Sequence, residues 1–310
     1  MNNNLPCSVN SSNVNEQLFG TAPSVEHWFI VECSGNWAYD ALESGTIPKM
    51  VTEYITNEIK NIENSRIQII QRDRDNDKGP RFYYANSTEL EPSLYEFPIE
   101  QYVDILDIDL ISVSRGNDIA KYRSDKKLVL VCTHGTHDKC CGTYGVPVYK
   151  KLLKYNEFEV WRTSHVGGHR FSANVIMLPE GMYYGRVNVS NLKEIMEKHR
   201  QNKIFLSCYR GRSCYSQPSQ VSDYFLRDRT GELGIYDIRL EFEKDREYNI
   251  SVEFSFRDRD IGYSVNSVVL YDSIHIPASC GDEQKKSIPQ FYFYSLYPYT
   301  PSKVKKTKDN

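Results

Sequence analysis

A chain of 310 residues, 40% hydrophobic and 25% charged, has room for about two domains of roughly 100–200 residues, with cores that need no covalent staples. Its net charge of −3 excludes a global pull toward nucleic acid or an anionic membrane, and no apolar run reaches the roughly 18 residues that predict a membrane-spanning helix. The opening MNNNLPCSVNSSNVNEQ lacks the basic and apolar regions of a signal peptide, so the expected location is cytoplasmic, where eight cysteines point to metal or catalysis rather than to disulfides.

Residues 1–17, rich in Asn and Ser and without an apolar period, read as a disordered arm. From His27 the order is a strand HWFIVEC, a loop, a helix opened by Pro48 that ends near Ile62, and a strand RIQII from Arg66. This βαβ order returns as KLVLVC ending at Cys132, a loop, a helix from Pro147 to about Tyr155, and FEVWRTS from Phe158. Cys33 and Cys132 each lie fifteen positions before a helix-opening proline, and RFYYAN from Arg81 echoes RFSAN from Arg170. A duplicated α/β unit is therefore expected, the first copy over 18–120 and the second, with the extra ligands, over 121–232. NLKEIMEKHR from Asn191 and QPSQVSDYFLRD from Gln217 predict two more helices packed on the second sheet. From Ile235 the text alternates with period two in four runs, which predicts a β-rich extension over 233–298, and 299–310 form a solvated basic tail.

The stretch LVCTHGTHDKCCGTYGVP, Leu130 to Pro147, holds three of the eight cysteines and two of the seven histidines. It follows a predicted parallel strand, so it should lie at the carboxyl edge of the sheet, where sites form. The N-terminus of the helix after Gly145 would favour thiolate there. SHVGGHRFSAN, from Ser164, sets His165 and His169 four positions apart around a Gly-Gly pair. His165 ends the next strand and should reach the same edge, and the glycines allow the turn that returns His169 to it. Structural zinc usually takes cysteines two to four residues apart, whereas eight residues separate Cys132 from Cys141. That spacing suits a larger object such as a [2Fe–2S] cluster, which two thiolates and two neutral imidazoles complete in Rieske-type centres. Cys132-Thr133-His134 mimics one Rieske half-box, but its C-x-x-H partner is missing, which favours His165 and His169. The choice between Cys140 and Cys141 stays open at this level.

From FGTAPSVEHW at Phe19 through CTHGTHDKCCGTYGVP, SHVGGHRFSANVIMLPEGMYYGR and YRGRSCY to ASCG at Ala278, the chain resembles the sucrase/ferredoxin-like proteins. The cluster-bearing part of that family is a thioredoxin-like ferredoxin. The resemblance implies thioredoxin-like α/β units and a [2Fe–2S] cluster held by Cys132, Cys141, His165 and His169, with Cys140 a neighbour that does not ligate.

The function implied is a one-electron carrier between an unknown reductase and an unknown acceptor. With two cysteinates the oxidised cluster sums to about zero charge, against −2 for four, so its potential should exceed that of plant-type ferredoxins. The distal imidazole nitrogens could couple electron uptake to a proton. Two other readings are a thiol–disulfide or peroxide oxidoreductase using Cys132 with Cys140 or Cys141, which lacks the usual C-x-x-C, and a structural zinc protein. No carboxylate pair suggests sugar hydrolysis, so sucrase activity is not expected. His134 and His137 are candidates for tuning hydrogen bonds or plain surface groups. Arg210 and Arg212, in YRGRSCY, read as a cationic patch for a partner's carboxylates or as partners of acidic helices in this chain, and Arg170 is similar. Cys33 and Trp37 read as structural, and Cys7, Cys208 and Cys280 carry no assigned role.

Overall fold

The computed structural model describes residues 5–72, 79–282 and 284–301. Its first element, α1 (Cys7–Asn13), corrects the expectation of a disordered arm over 1–17 from residue 5 onward, residues 1–4 lying outside the described residues. Seven residues of CSVNSSN do not hold a helix on propensity alone; tertiary contacts hold this one. Cys7, Ser8 and Ser11 are buried, Arg186 Nη2 donates to Ser11 Oγ at 3.0 Å and to the Glu16 carbonyl at 2.8 Å, and Arg170 pairs with buried Glu16 at 2.6 Å. Burial of polar groups leaves no apolar period to read.

Next, β1 (His27–Glu32) runs parallel to β2 (Ser65–Gln71) across α2 (Lys49–Ile59), and β3 (Phe82–Asn86) and β4 (Ser93–Phe97) continue antiparallel on the other side of β1. After the short α3 (Leu110–Ser114) and the edge strand β5 (Arg123–Ser124), the order repeats. β6 (Leu128–Cys132) runs parallel to β7 (Glu159–Thr163) across α4 (Lys139–Leu152), with β8 (Val175–Leu178) and β9 (Met182–Tyr184) antiparallel beyond. Sheet orders β2-β1-β3-β4 and β7-β6-β8-β9 are the same thioredoxin-like arrangement twice. A further helix α5 (Leu192–Arg200), a strand β10 (Tyr209–Arg212) and a helix α6 (Gln217–Thr230) follow. The chain ends in a separate antiparallel meander of β11 (Ile238–Arg246), β12 (Asn249–Phe256), β13 (Gly262–Pro277) and β14 (Lys285–Tyr299). Of the expected basic tail, residues 302–310 lie outside the described residues, and Tyr299 closes β14. Among the described residues no helix is long and apolar enough to cross a membrane.

The two units join through β2 and β7, which meet antiparallel at Ile70 with Thr163 and Gln71 with Arg162, making one ten-stranded sheet. β1 and β9 stand five intervals apart in that sheet, about 24 Å if it were flat at roughly 4.8 Å per strand. Yet the Trp28 and Tyr183 ring centroids are 6.2 Å apart, and Tyr83 and Trp161 are 6.3 Å apart. The sheet is therefore folded over at its narrow seam, and the inner faces of both units share one core that includes Trp28, Ile30, Leu130, Trp161 and Ile176. Helices cover the outer faces: α2 lies over Phe29, Val31 and Ile69, and α4 and α5 lie over Val129, Val131 and Met177. α6 packs Val221 and Leu226 against Val252, Phe254 and Val265 of the meander, which attaches that sheet to the α/β body.

One boundary differs from the pattern in a way that matters for chemistry. Pro147 predicts the start of the helix, but α4 begins at Lys139 and carries Pro147 inside it. Asp138 is the reason, since its carboxylate accepts from the Cys140 N–H at 2.8 Å and caps the first turn. Cys140 and Cys141 thus stand on a helix rather than on a loop. Gly145 lets that helix lie on the end of β6, because a Cβ there would sit 2.0 Å from the Cys132 carbonyl oxygen. Gly145→Ala should accordingly destabilise the chain by about 1–3 kcal/mol in urea unfolding. Gly281→Ala, with no atom within 4 Å of the added Cβ, should stay within about 0.5 kcal/mol.

Candidate metal centre

Successive residues on a helix point about 100° apart, so the two adjacent cysteines of α4 face different surroundings. Cys141 turns toward the end of β6 and meets Cys132 and His165, with all three ligand atoms within 4.8 Å of one another. Its sulfur is 3.7 Å from His165 Nδ1. Both thiols are buried and His165 is half-buried. The hydrogen bond from Cys141 holds the Cys132 thiol well below its usual range, with His165 adding to the effect, and the same bond pushes Cys141 up. The two thiols are therefore strongly coupled, with Cys132 the more acidic of the pair.

His165 also belongs to a second triad, with His137 and His169, whose ligand atoms again lie within 4.8 Å of one another. The His137 and His165 rings stack at 4.0 Å between centroids, and the His165 and His169 centroids are 5.2 Å apart. All four residues singled out in the sequence, Cys132, Cys141, His165 and His169, are thus brought to one place through two triads that share His165. His169 Nε2 bonds the Ala278 carbonyl at 2.5 Å, while its Nδ1 is buried without a hydrogen-bond partner. A buried lone pair with nothing to accept is costly unless something else binds it. The donor set, two inner thiols and a half-buried pair of imidazoles, fits a cluster with mixed sulfur and nitrogen ligation.

The turn between the two histidines is held from below. Gly167 and Gly168 take φ values of +88° and +73°, a region that side chains with a Cβ avoid. Arg210 Nη1 donates to the Gly167 carbonyl at 3.0 Å and to Asn174 Oδ1 at 2.8 Å, and Nη2 donates to the Thr21 carbonyl at 2.5 Å. Asn174 in turn donates to the Gly168 carbonyl at 2.9 Å. Arg210 and Arg212 are 1% and 2% exposed, which overturns their reading as a docking patch and as partners of acidic helices. Arg212 bonds the backbone carbonyls of Glu180, Thr88 and Glu89 instead. Burial pulls the Arg210 guanidinium down to about 10, so it stays charged at neutral pH.

The first unit, whose role the sequence leaves blank, wraps the site. Arg66 Nη2 donates to the His165 carbonyl at 2.6 Å, and Thr136 Oγ1 donates to the Trp37 carbonyl at 3.0 Å. Tyr39 stacks on His137 at 4.6 Å. His134 is buried; its Nε2 bonds the Ala38 carbonyl at 2.7 Å while its Nδ1 accepts from the His165 N–H at 3.1 Å. Both nitrogens are engaged in the neutral tautomer, and burial lowers its basicity, so His134 positions His165. Cys33, at the matching place in the first unit, is buried in its core.

Cys140 faces the other way and meets residues that the sequence reading passes over. Its sulfur lies 3.5 Å from that of Cys7 and 3.3 Å from that of Cys280, and those two are 3.5 Å apart. Donation from Cys7 holds the Cys140 thiol down at about 5, and Ser8 contributes through a bond of 3.2 Å. Asp138 Oδ2 accepts from the Cys280 N–H at 3.0 Å. No short-range spacing connects positions 7, 140 and 280, so the sequence offered only their identity as cysteines.

The buried fork of Arg210 gives a direct test of how the histidine turn is positioned. Arg210→Lys keeps the charge and loses the fork, leaving carbonyls of the turn unpaired. It should destabilise the chain by about 1–3 kcal/mol in denaturant unfolding, and it should lower the metal content of purified protein.

The altered inheritance of mitochondria protein 32 of Meyerozyma guilliermondii is 32% identical over 96 residues, covering 27% of this chain and 34% of that protein. Its counterpart in Saccharomyces kudriavzevii is 24% identical over 184 residues, covering 46% of this chain and 58% of that protein. The matched stretches thus span a third to just over half the length of these relatives. Among solved structures, a thioredoxin-like [2Fe–2S] ferredoxin from Aquifex aeolicus shares 18% identity with a TM-score of 0.26, covering 29% of this chain and 94% of its own. A cysteine-to-serine variant of that ferredoxin gives 19% and 0.24. Residues 18–211, more than half of the chain, match the sucrase/ferredoxin-like family, and the chain belongs to that family.

Proposed function

We propose that this chain is a one-electron carrier whose [2Fe–2S] cluster is held by Cys132, Cys141, His165 and His169. The observation that carries the reading is the convergence of two buried thiols with a pair of imidazoles, one of which presents a buried and unpartnered Nδ1. A bound cluster supplies a one-electron couple; the residues set its surroundings. Thiols on the buried side and imidazoles on the half-buried side put the neutral ligands toward solvent, beside a hollow of about 280 Å³ lined by Tyr39, Arg66, His137 and His165. That hollow is the place for a reductase or an acceptor to approach. All eight cysteines are free thiols, which suits a reducing compartment. The name of the relatives refers to mitochondria, which sets that organelle beside the cytoplasm as a location to test.

Anaerobically purified protein should contain about two irons and two acid-labile sulfides per chain. Cys132→Ser and Cys141→Ser should lose the visible absorption, and Cys140→Ser should keep it. His165→Cys and His169→Cys should keep a cluster at lower potential, because each thiolate adds a negative charge. Colourless protein without iron, or loss of colour in Cys140→Ser with retention in Cys141→Ser, would overturn this ligand set.

Proton coupling follows from the two imidazoles and differs between them. His169 Nε2 is tied to the Ala278 carbonyl, whereas His165 faces Cys141 through Nδ1, so that a cluster bound through Nδ1 would leave Nε2 as its proton-bearing nitrogen. We assign the exchangeable proton to His165 Nε2, whose affinity rises when the site gains an electron. The midpoint potential should fall with rising pH by at most about 59 mV per unit. His165→Cys should flatten that slope and His169→Cys should retain most of it. A wild-type potential that stays level from about pH 5 to 10 rules the coupling out.

A further inference from the structure

We infer that Cys7, Cys140, Cys280 and Asp138 form a second, separate metal site that takes a zinc ion. Three thiol sulfurs from chain segments more than 130 residues apart converge with 3.3–3.5 Å between each pair, and the Asp138 carboxylate lies 3.8 Å from the Cys7 sulfur. Those separations exceed the roughly 2.0 Å of a disulfide, and a third thiol has no place in one. They are close to the spacing zinc imposes: with Zn–S bonds of about 2.3 Å in a tetrahedron, sulfurs stand about 3.8 Å apart. The triangle needs to open by less than half an ångström, and an ion above it reaches Asp138 as the fourth ligand. Three thiolates and a carboxylate suit a soft-to-borderline d¹⁰ ion in a closed tetrahedral site.

The surroundings also fit. With the thiol protons that remain released to solvent, three thiolates and a carboxylate on the ion give a centre of net charge −2. That charge sits at the N-terminus of α4, a fourteen-residue helix whose partial positive charge stabilises it. The N–H groups of Cys140 and Cys280 point at Asp138, at 2.8 and 3.0 Å, and Ser8 Oγ donates to the Cys140 sulfur at 3.2 Å, the kind of bond that orients a ligand. Cys7 and Cys140 are each 1% exposed, and Cys280 is exposed, which leaves the ion a way in. The site ties α1, a short polar helix with little stability of its own, to the start of α4 and to the turn between β13 and β14. Adjacent cysteines on one helix turn then serve two different centres, iron through Cys141 and zinc through Cys140.

The test is metal analysis of the full chain expressed with added zinc, read together with iron, sulfide and the visible spectrum. About one zinc per chain is expected beside the iron. Cys7→Ser, Cys140→Ser and Cys280→Ser should each lose most of the zinc while iron and colour remain, and Asp138→Asn should weaken zinc retention against a chelator. Cobalt(II) added to zinc-stripped protein should give thiolate charge-transfer absorption that Cys280→Ser abolishes, and zinc should protect Cys280 from alkylation at least tenfold. If iron is absent but zinc is bound and lost in Cys280→Ser, this site stands and the cluster assignment fails. If zinc is lost in Cys132→Ser or His165→Ala and kept in Cys280→Ser, zinc occupies the other group and the inference fails. No zinc or cobalt uptake, or an intact disulfide among Cys7, Cys140 and Cys280 by mass spectrometry of alkylated protein, overturns it as well. Cys280→Ser lies at an exposed position, so its folding serves as a check on the buried variants.

Discussion

The arrangement depends on how α4 begins. Asp138 caps the helix by accepting from Cys140 N–H, which starts the helix eight residues before the proline that would otherwise mark its start. That early start fixes Cys140 and Cys141 about 100° apart on a rigid turn, where a loop would leave both free to choose. Gly145, whose missing Cβ would otherwise strike the Cys132 carbonyl, then lets the helix settle against the strand end that carries the partner thiol. The placement of the two thiols is set by a backbone contact between two regular elements. A site built this way is more exact than one built on loops alone.

The histidine side lacks such rigidity and is stiffened by long side chains from elsewhere. Arg210 reaches through the core to the carbonyl of Gly167, Arg66 of the first unit grips the carbonyl of His165, and His134 accepts from the His165 N–H. Each is a donor or acceptor aimed at backbone, so each constrains where the imidazoles sit without occupying their ring nitrogens. The folded-over sheet makes this possible. Because the two units share a core through Trp28, Tyr83, Trp161 and Tyr183, Arg66 of β2 comes within hydrogen-bonding reach of the turn that follows β7, and carbonyls of the loop after β1 reach His134 and Thr136 in the loop after β6. The unit without the extra cysteines and histidine pair braces the one that has them.

How much of this could be read in the sequence differs by element for physical reasons. Strands such as LVLVC and HWFIVE are buried on both faces and appear as continuous apolar runs. The four strands of the meander alternate with period two, and His165 and His169 stand out around a Gly-Gly pair. α1 was illegible because polar contacts to Arg186 and Glu16, rather than an apolar stripe, hold it in place. The start of α4 is hidden in the sequence because proline is common at the first helical turn, and nothing local says that Pro147 is interior. Arg210 and Arg212 looked like a surface patch because charge in a glycine-containing turn usually is one; only the tertiary fold shows them buried against backbone carbonyls. Cys7 and Cys280 lie at opposite ends of the chain, and proximity of that kind leaves no trace in spacing.

The β-rich extension has a place in the chemistry that its own composition does not suggest. Its turn carries Ala278, the acceptor for His169 Nε2, and two residues on comes Cys280, whose N–H bonds Asp138. Asp138 is the same carboxylate that caps α4. One residue thus links the helix start that orients Cys141 to the turn that orients His169, across the two sides of the centre. A histidine whose distal nitrogen donates to a fixed carbonyl is held in one tautomer and is a stronger ligand through the other nitrogen, so displacement of this turn would be felt at His169 although the meander contributes no ligand to the triads. α6, packed on the meander through Val221 and Leu226, keeps the turn where it is needed, and this ties the stability of the terminal sheet to the geometry of a site built on the other one.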